Sequence, residues 1–97
     1  MTEEAAHGVV RTRVVYTGHV QGVGFRYTTR TLAEGFAVTG YVRNCPDGTV
    51  EMEVQGPVGE VDGLLAAIAA EFAGHIRSAP RHTLPPDPGE GDFRIAH

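Results

Sequence analysis

The sharpest pattern in this chain runs from Thr49 to Gln55. There Val50, Met52 and Val54 alternate with Thr49, Glu51, Glu53 and Gln55, which predicts a strand with one apolar face and one face toward water. Asp47-Gly48 just before it is a hairpin turn signal, so the β-type run Val38 to Asn44 becomes its antiparallel partner. Beyond Gly56-Pro57 the period changes. Val61, Leu64, Leu65, Ile68 and Phe72 fall three and four residues apart, and Gly74 follows them, which predicts an amphipathic helix. Earlier in the chain, Val9 to Thr17 is rich in Val, Thr and Tyr and reads as a first strand. After Gly18, Gly22 and Gly24 comes a helical series at Phe25, Leu32 and Phe36, with Thr28 and Thr29 in the turn between and an end near Gly35 to Ala37. In the tail, Pro80, Pro85, Pro86 and Pro88 interrupt the strand that starts near Ile76, so it should be a short, irregular edge strand. Phe93 and Ile95 alternate with Arg94 and Ala96 and predict a last brief strand.

The resulting order is β-α-β-β-α-β plus a short C-terminal strand. This α+β order is the split-βαβ, ferredoxin-like pattern, a sheet with two helices on one face. With 97 residues, 41% of them hydrophobic and 21% charged, there is room for one core. Residues 1–8 read as a flexible lead-in and 9–97 as one domain. The net charge of −4 argues against a general nucleic-acid or anionic-membrane binder, so any anion site must be local. No lysine occurs, which removes Schiff-base and Walker-type chemistry. Cys45 is the only cysteine, so no internal disulfide or multi-cysteine zinc site can form and a cytoplasmic home is expected. The acidic start has no signal-peptide character, and Leu64 to Ala70 is too short to span a bilayer.

Between the first strand and the first helix lies Gly18 to Arg26, GHVQGVGFR. Its glycines let successive backbone amides converge, and the helix that follows adds a partial positive charge, so the loop is suited to cradle an anion. Arg26, in the first helical turn, can hold phosphate oxygens with paired donors. The alternative is a tight strand-to-helix turn carrying a surface arginine. Asn44, the only asparagine, sits where the second strand meets the turn. It is either a turn former or, with its donor and acceptor, an amide that orients a water beside the cradled anion.

GHVQGVGFR, followed by GYVRN at 40–44 and DGTVE at 47–51, resembles the acylphosphatase family, whose pattern is a G-x-V-Q-G-V-x-F-R loop and a later G-x-V-x-N strand end. The resemblance implies a ferredoxin-like fold and hydrolysis of acyl phosphates to a carboxylate and inorganic phosphate. It further implies that the loop of Gly18, His19, Val20, Gln21, Gly22 and Val23 wraps the phosphate with its amides, that Arg26 binds it, and that Asn44 positions the attacking water. Neither a metal nor any other cofactor is implied. The expected partners are small acyl phosphates, with inorganic phosphate or sulfate competing for the same site. Neither nucleic acid nor a membrane is expected as partner, and the chain should act as a monomer.

The chemistry agrees with that resemblance. An acyl phosphate expels a carboxylate whose conjugate acid has a pKa of roughly 4, so departure at neutral pH needs no general acid. Phosphoryl transfer then asks mainly for positioning and charge stabilisation, which amides and an arginine supply. His7, His19, His75, His82 and His97 lack metal-ligand spacing, Ser78 has no triad partner, and Glu51 and Glu53 should lie on a solvated strand face. The competing reading is a ferredoxin-like ligand- or RNA-binding module, and the acidic balance weighs against RNA.

Overall fold

A computed structural model describes residues 8–97; most of the expected lead-in, residues 1–7, lies outside the described residues. The elements in chain order are β1 (Val9–Gly18), α1 (Phe25–Ala33), β2 (Thr39–Asn44), β3 (Val50–Pro57), α2 (Val58–Glu71), β4 (Ile76–Ser78), β5 (Arg81–Leu84) and β6 (Phe93–Ile95). The strands form one mixed sheet in the order β4-β1-β3-β2-β6, with β5 on the same edge of β1 as β4. All pairs are antiparallel except β2 with β6. This is the ferredoxin-like arrangement expected from the sequence.

The period-two pattern sorts the sheet into two faces. Val14, Tyr16, Val42, Val50, Met52 and Val54 turn toward the helices and are buried there against Phe25, Ala33, Val61, Leu64, Leu65, Ile68 and Phe72. Helix α2 buries the stripe its spacing predicts. In α1 the buried stripe is Phe25, Thr29 and Ala33, four residues apart, while Leu32 and Phe36 pack only partly against the core.

The opposite sheet face departs from expectation. Glu51 is not solvated: its side chain is 6% exposed, and it accepts hydrogen bonds from Arg13 and Arg43, each at 2.5 Å. Arg11 is equally covered and donates to Glu53 at 2.8 Å and to Glu90 at 2.6 Å. The register explains this. Neighbouring strands set arginines beside carboxylates, and the aliphatic stems of the arginines lie over the sheet where no helix covers it. Burial opposes ionisation of Glu51, but hydrogen bonds from Arg13 and Arg43 outweigh it and hold its carboxyl below the ordinary value. Tyr41, which donates to Glu53 at 3.0 Å, is pushed up to about 12 by burial and by that carboxylate.

The proline-rich tail resolves into two edge pieces. β4 pairs with the end of β1 and β5 with its middle, and the register shifts between Thr17 and Gly18. Pro80, which has no N–H to give, sits between the two pieces, and its carbonyl accepts from Val15 N–H at 3.2 Å. The chain then crosses the open sheet face, where Gln55 exchanges hydrogen bonds with the backbone of Asp87. It returns as β6 beside β2, and Ala96 N–H donates to the Val42 carbonyl at 2.9 Å. That parallel pairing carries Ile95 and His97 to the end of the sheet where Asn44 lies.

Candidate active site

The loop after β1 is shaped by what it buries. Val20 is fully enclosed in the core, as is Phe25, whose ring lies 4.9 Å from Tyr16 and 4.5 Å from Phe72 between centroids. These two apolar pins force the backbone between them to curl outward. Gly22 and Gly24 both take φ of 78°, a left-handed conformation that glycine adopts without strain. Gly24 also caps α1, with its carbonyl accepting from Thr28 N–H at 2.9 Å.

Helix α1 begins without the usual compensation. No side chain caps it, and its first turn holds no carboxylate. Arg26 stands there instead, a cation at the positive end of a helix, which is locally unfavourable. Among the described residues the amides from Val20 to Tyr27 have no hydrogen-bond acceptor. A curl of unpaired N–H groups, a helix start and an arginine together form a site for a multiply charged anion.

A side chain ties this loop to the second motif. Gln21 Nε2 donates to the carbonyls of Cys45 and Thr49, each at 2.8 Å. Those carbonyls belong to the β2–β3 turn, which Asp47 shapes by accepting from Thr49 N–H at 3.0 Å and Thr49 Oγ1 at 2.7 Å. Asn44 ends β2 just before the turn, in register with Val50, on the same sheet face as Val42. Among the described residues its side-chain amide has no protein hydrogen-bond partner. The turn is therefore held by other groups, and Asn44 is not what closes it.

A cleft of about 470 Å³ opens where these pieces meet. Val20, Gly22, Arg26 and Asn44 line it, together with Gly24, Phe25, Tyr27, Arg30, Arg94, Ile95 and His97. No carboxylate side chain is among them, although the chain as a whole is net negative. Four of the residues expected from the sequence are thus brought to one cleft, while Gly18, His19, Gln21 and Val23 do not line it. The expected amide wrap narrows accordingly. The N–H of His19 is committed to the His75 carbonyl at 2.8 Å, and Gly18 pairs with Ile76, so both form the seam between loop and β4. The His19 ring stacks on His75 at 6.0 Å instead of facing the cleft. Sequence reasoning missed Tyr27, Arg30, Arg94, Ile95 and His97 as lining residues. Arg30 was within reach, because the position four after Arg26 adjoins it on a helix.

The sequence profile of the acylphosphatase family matches residues 12–95. The chain belongs to the acylphosphatase family. An acylphosphatase from Bifidobacterium longum is 52% identical over 61 residues, covering 63% of each chain. One from Pediococcus pentosaceus is 52% identical over 54 residues, covering 56% of this chain and 60% of its own. The match thus spans about three-fifths of the length of these two relatives. The crystal structure of an acylphosphatase from Bacillus subtilis superposes with a TM-score of 0.81 at 26% identity, covering 91% of this chain and 99% of that one. Among the described residues no group of three His, Cys, Asp or Glu side chains is arranged to hold a metal ion, and no helix is long and apolar enough to cross a membrane.

Proposed function

We propose that this acylphosphatase-family chain hydrolyses the carboxyl-phosphate bond of small acyl phosphates by direct attack of water on phosphorus. The amides of Val20 to Gly24 and of the α1 start receive the phosphate oxygens, and Arg26 holds two of them with its paired donors. Asn44 orients the water from the other wall of the cleft. As the water oxygen bonds to phosphorus, the bond from phosphorus to the acyl oxygen breaks and its electron pair leaves as carboxylate. The products are a carboxylate, inorganic phosphate and a proton released to solvent. Because the leaving group is already a weak base, the residues need only position and stabilise charge, and no metal or protein acid is required. The cleft is complete within one chain, which supports a monomer, and the lone thiol suits a cytoplasmic setting.

One observation carries this reading: Arg26 and Asn44, from motifs far apart in sequence, open into a single cleft beside unpaired amides. The test is benzoyl phosphate loss with purified protein in the presence of a chelator. Turnover unaffected by the chelator is expected, with inorganic phosphate or sulfate competing. No turnover would overturn the enzymatic reading. Turnover lost to the chelator and restored by a metal would overturn the metal-free mechanism.

A further inference from the structure

Arg26 and the loop amides suffice for a phosphate, yet the cleft contains a second arginine with no assigned partner. Arg30 lies one helical turn beyond Arg26 and lines the same cleft. Its Nε is buried without a hydrogen-bond acceptor, and among the described residues it has no carboxylate partner. Its guanidinium carbon sits 5.3 Å from the centre of the Tyr27 ring. A buried donor left without an acceptor is costly, and like charges four residues apart on a helix repel. Both costs vanish if an anion reaches Arg30. Arg94 also touches the cleft but is already engaged, with its guanidinium 5.8 Å from the Tyr41 ring centre and 3.6 Å from Glu90.

We propose that Arg30 forms an acyl-side anion subsite, so that the preferred substrates are acyl phosphates whose acyl group ends in a second carboxylate. This rests on the function proposed above. Four residues of helix advance about 6 Å along its axis, a spacing suited to the reach between the phosphate and the far carboxylate of a four-carbon diacid. Tyr27 and Ile95, which also line the cleft, offer apolar surface to the methylenes between. A guanidinium fork matches a carboxylate in shape as well as charge.

Succinyl phosphate and butyryl phosphate differ at the acyl end in this charge, and their hydrolysis by the wild-type chain, corrected for spontaneous loss, tests the subsite. The expected kcat/KM is about tenfold higher for succinyl phosphate, mostly through KM, and the advantage shrinks as salt is raised. Arg30→Gln should bring the ratio close to one, whereas Arg30→Lys should keep part of it. Equal turnover of the two by the wild type, or an undiminished preference in a folded Arg30→Gln chain, would overturn the subsite. Should that variant not fold, the wild-type ratio and its salt dependence decide. Hydrolysis of neither compound would overturn the function itself, whereas butyryl phosphate turnover without preference overturns the subsite alone.

Discussion

Arg26 and Asn44 share a cleft but are proposed to differ in role, and that difference can be measured. In the proposed mechanism Arg26 contacts the anion in the ground state and in the transition state, so Arg26→Ala should lose phosphate affinity and, by ~10² or more, turnover. Asn44 is proposed to align water only. Asn44→Ala should lower kcat by ~10² or more with phosphate affinity and thermal unfolding nearly unchanged, and calorimetry with phosphate on the same preparation checks it. Near-normal turnover in the folded variant would remove Asn44 from catalysis. Gln21 acts at one remove, through the turn carbonyls of Cys45 and Thr49. Gln21→Ala should therefore raise KM for benzoyl phosphate several-fold, at a stability cost of about 1–2 kcal/mol for two lost hydrogen bonds. Arg26 and Asn44 were legible because each stands at an element end with a distinctive residue type. The tie made by Gln21 was not, since it depends on a tertiary contact across 24 and 28 residues of sequence.

Among the elements, those with long periodic patterns appear where the sequence places them. The alternation in β3 and the three-four spacing of α2 each leave one geometry that buries their apolar positions. The tail was only partly legible. Its prolines announce an edge strand, but its division into β4 and β5 follows from the register shift at Gly18 and from Pro80, which has no N–H to give the sheet and accepts from Val15 N–H. The seam at Gly18 is open to direct test. Its φ is 112°, and a Cβ there would meet the His75 carbonyl and come within 2.6 Å of Arg77 N. Gly18→Ala should destabilise the fold by more than about 1 kcal/mol, lowering Tm by roughly 4–8 °C per kcal/mol for a domain of this size. An unchanged Tm would mean that β4 detaches from β1 without cost.

Among the described residues, charge is divided between a cleft lined by no carboxylate side chain and a sheet face where arginines and carboxylates neutralise one another. That face was misread from sequence because alternation alone cannot tell a solvated polar face from one sealed by paired side chains. Its contribution depends on pH with a definite sign. Glu51 titrates below its ordinary value of 4.5 when folded, so the unfolded chain binds more protons in the interval between. The stabilisation is complete above about pH 4.5 and lost as pH falls through the folded value. Tm followed from pH 7 to pH 3 should therefore fall below about pH 4.5. Glu51→Gln should lower Tm at pH 7 by removing the carboxylate that Arg13 and Arg43 share, and should flatten that acid limb.

The central claim, that the cleft directs water to phosphorus, is tested most directly by the fate of the water oxygen. Benzoyl phosphate is hydrolysed by the wild-type chain in water enriched in the heavy oxygen isotope, and both products are analysed by mass spectrometry. The label should enter inorganic phosphate and not benzoate, because the bond that breaks joins phosphorus to the acyl oxygen. Label in benzoate would mean that water attacks the carbonyl carbon, and would contradict the roles assigned to Arg26 and Asn44.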